Sequence, residues 1–306
     1  SAASDVYKRQ AYYVGITQTK ILTVNSIVML LSNVALNYCL IFGKGGFPAA
    51  GIAGAAIASS VSEAVSLLFF IIYTSMTADK RKYGFRRAFT LRPHLLKGML
   101  SISGWTMVQS FISVSIWFIF FLAIEHLGER PLAVTNIVRN ISALLIMVIS
   151  AFATTAGALI SNQIGAGEQR CLFKTCGMTL KLTYAILIPL LIILCLFPES
   201  VLRAFTDSPS LIAASVNSVY VMASSTLIMA PSFILFNAVS GTGNTRAGFI
   251  MEMISLAVYT AVIYYGIIRL KPDVALCWFS EHVYGVTLIF LAWWYLKSGK
   301  WRGKKV

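Results

Sequence analysis

The sequence predicts an all-α integral membrane protein with about eight transmembrane helices. Of its 306 residues, 58% are hydrophobic and only 12% are charged. A soluble domain carries roughly twice that share of charged residues, so this chain has too few polar side chains to cover a surface that faces water. Its apolar stretches also reach the about 20 residues that an α-helix needs to cross a bilayer core.

Each predicted helix is bounded by residues that interrupt helices. The eight spans are predicted at residues 21–42, 51–74, 98–124, 132–160, 175–197, 215–239, 247–268 and 275–296. Gly and Pro lie in the connectors between them, for example at Gly45, Pro131, Pro209 and Pro272. The even number of spans places both ends of the spanning region on the same side of the membrane.

Lys and Arg side chains are concentrated in alternate connectors, and this pattern predicts the orientation in the membrane. One set of connectors contains the basic run at residues 80–97, the bases at residues 170–181, Arg246 and the C-terminal tail. Because cytoplasmic loops are enriched in Lys and Arg, the C-terminus is predicted to be cytoplasmic. The same placement accounts for the formal net charge of +14 without a nucleic-acid partner, which would require a basic face on a soluble domain.

Two turns rich in Gly and Thr indicate an internal repeat. The sequence GITQTK at residues 15–20 precedes the first span, and GTGNTR at residues 241–246 precedes the seventh. The spans between the two turns are even in number, so both turns lie on the same side, as expected for parallel repeats of a secondary transporter. The repeat predicts four further helices before the first turn. We therefore interpret the chain as an N-terminally truncated fragment in which the polar residues 1–10 are an artefactual stub.

One segment is similar to a known family. The sequence NYCLIFGKGGFPAAGIAGAAIA at residues 37–58 resembles the signature of multidrug and toxic compound extrusion (MATE) family transporters, and residues 162–167 and 240–246 resemble two further segments of that family. The signature residues are Gly43, Gly46, Pro48, Gly51, Gly54, Ala55, Ala56, Gly241, Gly243, Thr245 and Arg246. Small residues at the start of the second span predict a helix face that another backbone can approach closely: Gly51, Gly54, Ala55, Ala56 and Ala58.

The resemblance implies a two-lobe, V-shaped fold that lacks its first four helices here. Residues 11–78 would hold the last two helices of the N-terminal lobe, and residues 79–97 a basic cytoplasmic connector. Residues 98–297 would form a six-helix C-terminal lobe, followed by a basic tail at residues 298–306. The resemblance also implies a carrier of the bacterial inner membrane, monomeric when complete. It would export amphipathic, cationic small molecules by antiport of H⁺ or Na⁺ through alternating access, without a cofactor.

Two alternative functions are open. A lipid-linked oligosaccharide flippase has a related fold, but it would need a basic cavity to bind pyrophosphate. Arg139 is the base that the predicted spans offer for this role. An intramembrane enzyme is the less favoured alternative. The three histidines, His94, His126 and His282, lack metal-ligand spacing, and the five cysteines form no CxxC pair, so no metal site and no catalytic group is predicted.

Three acids lie inside predicted spans and are candidates for ion coupling. A charge at the centre of a bilayer costs about 3 kcal/mol or more unless it is paired or hydrated, so Glu63, Glu252 and Glu281 are candidates by default. Each could instead be a protonated acid that is hydrogen-bonded to a neighbouring helix. His282 is a further candidate, although adjacent residues of a helix point about 100° apart and Glu281 is not expected to share one site with it.

H⁺ is the preferred coupling ion. Some relatives carry an acid in the seventh helix of the family fold and another in the tenth, and these acids form a cation site. The corresponding spans of this chain offer only Gln109 and Asn217. A Na⁺ site of that kind is therefore not expected, and coupling is assigned to protonatable acids.

Polar and aromatic residues in the third and fourth spans predict a substrate cavity. The candidates are Gln109, Trp117, Asn136, Arg139 and Asn140. Aromatic faces attract organic cations, and Arg139 either neutralises Glu125 or lines the cavity. Trp278, Trp293 and Trp294, near the two ends of the last span, are predicted to be anchors at the membrane interface.

Overall fold

The structure is a computed structural model that describes residue 10, residues 12–14, residues 19–77 and residues 93–302. The chain divides into two compact units, residues 1–92 and residues 93–306. Nearly all of the predicted stub, most of the GITQTK turn and most of the basic connector at residues 79–97 lie outside the described residues.

All eight predicted membrane helices are present, and the part of the chain that the structure describes contains no β-strand. The first unit contains α1 (Lys20–Phe42) and α2 (Gly51–Thr77). The long helices of the second unit are α3 (Pro93–Glu125), α4 (Glu129–Gly165), α5 (Leu172–Leu196), α6 (Pro209–Gly241), α7 (Thr245–Val262) and α8 (Ser280–Ser298). The all-α membrane fold predicted from composition is therefore confirmed.

Several helices differ in detail from the predicted spans. α4 extends beyond the predicted residues 132–160 at both ends, so the helix includes polar residues on either side of its apolar stretch. α7 continues as a π-helix at Ile263–Arg269, and a short helix at Val274–Cys277 precedes α8. A 3₁₀ turn at Gln169–Cys171 precedes α5, and a short helix at Pro198–Leu202 follows it.

In the first unit, α1 and α2 pack along a stripe of residues spaced four apart. The buried residues of α2 are Gly54, Ala58, Ser62, Ser66 and Phe70. A Cβ atom on Gly54 would lie 2.5 Å from the carbonyl oxygen of Leu40 on α1, and Asn25 donates a hydrogen bond of 2.7 Å to Ser66. The predicted small-residue face was partly wrong, because Gly51 and Ala56 are exposed and Ala55 is only half-buried. Residues spaced four apart form one row on the helix surface, and such a row can contact one neighbouring helix. The predicted residues instead point in several directions around α2.

The signature turn between α1 and α2 depends on Gly43. Its φ angle of +66° ends α1 in the left-handed region, and a Cβ atom there would lie 2.9 Å from the backbone nitrogen of Ala49. Glycine therefore meets two requirements at this position, the backbone conformation and the close approach. Gly46 and Pro48 complete the turn before α2 begins.

In the second unit, α4 and α6 form the central helix pair. A Cβ atom on Gly241 would lie 2.5 Å from the carbonyl oxygen of Gly157, so the two backbones meet where neither carries a side chain. The close packing that this approach allows contributes to the association of helices in lipid, where apolar burial gives little driving force.

The GTGNTR turn joins α6 to α7. Gly243 has a φ angle of +77°, and the side chain of Asn244 caps α7 by accepting a hydrogen bond of 3.2 Å from the amide of Ala247. Thr245 begins α7, and the Arg246 guanidinium lies over the ring of Trp105 on α3 at 5.9 Å. The turn therefore fixes the start of the helix that carries Glu252.

Candidate functional site

Two neighbouring chambers lie among the helices of the second unit. The larger, which we call the Arg139 chamber, has a volume of about 460 Å³ and is lined by Trp117, Arg139, Asn140, Ser142, Ala143, Ile146, Met147, Ser225, Thr226, Met229, Trp278 and Glu281. The smaller, the Glu252 chamber, has a volume of about 260 Å³ and is lined by Ser113, Val114, Trp117, Ile146, Met229, Phe233, Glu252, Leu256, Tyr259, Glu281 and Tyr284. Because four residues belong to both linings, the chambers are adjacent parts of one cavity.

Glu252 of α7 is buried but well supplied with hydrogen-bond donors. Its side chain is 4% exposed. Oε1 accepts hydrogen bonds of 2.9 Å from the Ser113 hydroxyl of α3 and 2.9 Å from the Tyr284 hydroxyl of α8, which also lies 3.1 Å from Oε2. Three helices therefore meet at this carboxyl group, and the donors are neutral hydroxyls rather than a base.

Glu281 of α8 mirrors this arrangement. Its Oε1 accepts a hydrogen bond of 2.8 Å from the hydroxyl of Tyr259 on α7. Each of the two helices thus supplies one acid and one tyrosine, and each acid is bonded by the tyrosine of the other helix. The rings of Tyr259 and Tyr284 contact each other edge to face, with centroids 5.8 Å apart. The result is a crossed pair of acid–tyrosine contacts that connects α7 to α8.

His282, predicted as a coupling residue, lies apart from Glu281. Its Nε2 is 2.9 Å from the Ser224 hydroxyl of α6, and its ring stacks on Phe279 with centroids 4.5 Å apart. It lines neither chamber. The divergence of adjacent side chains on a helix accounts for this separation.

Arg139 of α4 lies in the cavity wall against two aromatic rings of α3. Its guanidinium carbon is 5.2 Å from the centroid of the Phe121 ring and 6.0 Å from that of Trp117. Its Nε is buried and has no hydrogen-bond partner among the described residues. Of the two sequence interpretations of Arg139, the geometry favours the cavity wall over neutralisation of Glu125. Asn140 and Trp117 line the same chamber.

Three other predicted site residues lie outside these linings. Gln109 is half-buried on α3, and its main-chain carbonyl accepts a hydrogen bond of 2.9 Å from the Ser113 hydroxyl. Asn136 is half-buried on α4, one turn before Asn140. Glu63 is half-buried on α2 in the first unit and makes no hydrogen bond within the part of the chain that the structure describes. The assignment of these residues to coupling or substrate binding stays a prediction.

Four of the cavity residues that sequence reasoning missed carry the polar contacts or the aromatic wall: Ser113, Tyr259, Trp278 and Tyr284. The tyrosines had a detectable signal, because Tyr259 follows Glu252 by two helical turns and Tyr284 follows Glu281 by about one, so each lies on the face of an acid. The prediction for Trp278 was wrong. It lies in the turn between the short helix Val274–Cys277 and α8, is 4% exposed, and packs edge to face on Phe120 with ring centroids 5.7 Å apart.

Within the described ranges, no group of three or more His, Cys, Asp or Glu side chains is placed to hold a metal ion. Among the described residues that line the cavity, the polar groups include two carboxyls, one guanidinium, one side-chain amide and several hydroxyls. Such a set can bind and release protons and can contact charged organic molecules.

Comparison with known proteins identifies relatives of the chain. A family model named MatE matches residues 106–265, more than half of the chain. The chain is 25% identical over 243 residues to the uncharacterized transporter YisQ of Bacillus subtilis, covering 76% of this chain and 50% of YisQ. It is also 25% identical over 291 residues to the probable multidrug resistance protein NorM of Thermotoga maritima, covering 90% of this chain and 59% of NorM. The chain therefore spans only about half of the length of these curated relatives.

Solved structures share the fold. An outward-facing multidrug resistance MATE family transporter of the MOP superfamily matches 95% of this chain and 64% of its own length with a TM-score of 0.82 and 15% identity. A MOP superfamily transporter from Pyrococcus furiosus, whose binding pocket is described as having reverse polarity, matches 92% of this chain and 63% of its own length with a TM-score of 0.76 and 17% identity.

Proposed function

Because the chain belongs to the MatE family of membrane transporters, we propose that it forms part of a secondary carrier that exports amphipathic, cationic small molecules by alternating access. The matched residues 106–265 include the helices that carry Trp117, Arg139 and Glu252. Two bacterial relatives with which it shares sequence are named as a transporter and as a probable multidrug resistance protein. We also propose a location in a bacterial inner membrane with the basic C-terminal tail in the cytoplasm, supported by the distribution of Lys and Arg.

One observation carries the proposal: a cavity among membrane-spanning helices contains two acids and an aromatic wall. The Arg139 chamber, with about 460 Å³, falls within the range of about 300–1,000 Å³ that is usual for sites of drug-sized molecules. Trp117 offers a ring face to an organic cation, and Glu281 offers a negative charge to it. An amphipathic cation therefore matches both the shape and the chemistry of the wall.

We assign the coupling ion as H⁺ and the coupling groups as Glu252 and Glu281. Each acid is held by hydroxyl groups, and neither is paired with Lys or Arg among the described residues. A carboxyl group without a fixed positive partner can exchange a proton for a substrate cation, which is the exchange that antiport requires. Glu63 of the first unit remains a further candidate on the strength of its position in the middle of α2.

The cavity supports the efflux carrier more than the flippase. A site for the pyrophosphate of a lipid-linked oligosaccharide would need several bases. Of the residues that the structure describes, the two linings together contain one base, Arg139, and two acids, Glu252 and Glu281.

The test is proton-driven export of a cationic dye from everted vesicles of a drug-sensitive bacterium. The protein is expressed with any residues that precede Ser1 in its gene. Glu281→Gln and Glu252→Gln are each expected to lower the initial export rate at least about tenfold, the usual loss when a required proton-transfer group is removed. The matched control is Glu199→Gln, an exposed acid outside the cavity, which should export at the wild-type rate. Unchanged export by both cavity variants would contradict the coupling assignment.

A further inference from the structure

A further pocket, of about 210 Å³, lies between α7 and α8 and shares no lining residue with the two chambers. Its lining residues recur three and four positions apart on each helix, so one face of α7 meets one face of α8. We call this pocket the α7–α8 groove. Its lining includes Ile250, Ile254, Leu291, Trp294, Tyr295 and Lys300.

The apolar side chains of the groove are exposed on the surface of the second unit. Ile250 is 48% exposed, Ile254 is 44% exposed and Trp294 is 61% exposed. Exposed apolar side chains on helices of this length and hydropathy are typical of surfaces that face acyl chains. The α8 side of the groove extends over the seven residues from Leu291 to Ser298, or about 10 Å by the helical rise. The groove can therefore hold part of one extended acyl chain.

A base lies at one end of the groove. Lys300 follows the end of α8, and the described residues supply its ammonium group with neither an ion pair nor a hydrogen bond. Two neighbouring bases are placed differently. The Lys297 ammonium lies 4.6 Å from the centroid of the Trp293 ring, and the Arg302 guanidinium lies 5.6 Å from that of Trp301. Among these three bases, Lys300 is the one whose charge is not engaged by an aromatic ring.

Hydrogen bonds fix the basic end of the groove. The Tyr295 hydroxyl of α8 accepts a hydrogen bond from the side-chain amide of Asn244, which precedes α7. The Ser298 hydroxyl donates a hydrogen bond of 2.7 Å to the Tyr295 carbonyl and accepts one of 3.4 Å from the backbone amide of Lys300. These contacts tie the start of α7 to the end of α8 and hold the backbone of Lys300, so the groove exists before any ligand binds.

An apolar groove with a base at one end matches a molecule that has an acyl chain and an anionic headgroup. Bases near the cytoplasmic surface of a membrane attract anionic lipids, and the end of α8 lies on that side in the proposed orientation. We propose that the α7–α8 groove binds one anionic phospholipid, with its phosphate on Lys300 and an acyl chain against Ile250, Ile254 and Leu291. This site is separate from the export cavity and goes beyond the proposed export function.

The experiment captures the lipid by cross-linking. The protein, produced with any residues that precede Ser1 in its gene, is reconstituted in nanodiscs of phosphatidylcholine that contain a trace of one photoreactive probe. The probes are phosphatidylglycerol and phosphatidylcholine with the same diazirine-labelled acyl chain, so they differ in the charge of the headgroup. Peptide mass spectrometry measures the labelling of residues 247–254 and 291–298 as a fraction of the labelling of the whole chain.

Phosphatidylglycerol is expected to label the groove about fivefold more than phosphatidylcholine. This ratio corresponds to about 1 kcal/mol, the usual contribution of one base near an anionic membrane surface. Lys300→Gln should reduce the ratio to about one. The matched control is Lys174→Gln, an exposed lysine at the start of α5 on the same predicted side, which should retain the fivefold ratio.

A second pair of variants tests the place of the acyl chain. Ile254→Trp fills the groove with a larger side chain and should lower its labelling by both probes. Its control is Ile192→Trp on α5, where the isoleucine is 51% exposed and does not line the groove, and labelling of the groove should be unchanged. Size-exclusion chromatography of each variant verifies that it is folded.

The outcomes distinguish a specific lipid from the other possible occupants. Equal labelling of the groove by the two probes in the wild type would mean that bulk lipid fills it, and would overturn the proposal. A preference that survives Lys300→Gln would also overturn it, as would cross-links between two copies of the chain at the groove in place of lipid labelling. None of these results would bear on export, which the experiment does not measure. The result expected is a preference that Lys300→Gln abolishes and labelling that Ile254→Trp lowers.

Discussion

Glu252 and Arg139 are both ionisable groups inside membrane-spanning helices of one cavity, yet their surroundings differ. Glu252 is almost fully buried and accepts hydrogen bonds from two other helices, whereas Arg139 is half-buried against rings and has an unbonded Nε among the described residues. A group that the protein satisfies by itself contributes to the stability of the fold. A charged group that lacks hydrogen-bond partners in the protein must instead be stabilised by water or by a molecule that enters the cavity. The two sites should therefore respond in opposite ways to mutation.

The largest effect is expected at the satisfied site. Glu252→Ala removes the acceptor of the Ser113 and Tyr284 hydroxyls and leaves a void, so it should lower the stability of the folded protein by about 3 kcal/mol. The measurement is the thermal melting temperature in detergent, with Glu199→Ala as the exposed control. A melting temperature equal to that of the control would mean that the hydroxyls find other partners and that the comparison is wrong.

A smaller loss is expected when one donor of the crossed pair is removed. Tyr284→Phe keeps the ring that contacts Tyr259 but deletes the hydroxyl bonded to Glu252, which should cost about 1–2 kcal/mol. Tyr265→Phe is the matched control, because the Tyr265 side chain is 67% exposed on the π-helical segment. If both variants melt at the same temperature, the Tyr284–Glu252 hydrogen bond does not stabilise the helix pair.

The smallest change in stability is expected for substitution of Arg139, and it should be neutral or stabilising rather than destabilising. Arg139→Met keeps apolar contact with Trp117 and Phe121 while removing an incompletely bonded charge. Its melting temperature in the absence of substrate should match or exceed that of the wild type, to within about 0.5 kcal/mol of stability. A loss larger than that of Tyr284→Phe would show that Arg139 has a stabilising partner within the protein and would remove the contrast.

Some residues of the site could be predicted from the sequence, whereas others could not. The acids at positions 252 and 281 and the base at position 139 stand out because charge is rare in apolar spans. The tyrosines that bond the acids do not stand out, since tyrosine is common near membrane interfaces. Trp278 illustrates the same limit: its place near a helix end resembles that of an anchor, and only the packing of the helices shows that it is buried in the cavity wall.

The sequence by itself determined that eight helices within the described residues are long and apolar enough to cross a membrane, because hydropathy and helix breakers are local properties of each segment. The tertiary structure decided which helix faces meet. In a membrane protein, the helix surfaces that face lipid are as apolar as those that contact other helices. Hydropathy therefore does not identify the buried row from Gly54 to Phe70 on α2 or the close contact of Gly157 with Gly241. For the same reason, only the packed helices reveal that Glu252 is satisfied by Tyr284 while Arg139 is left open to the cavity.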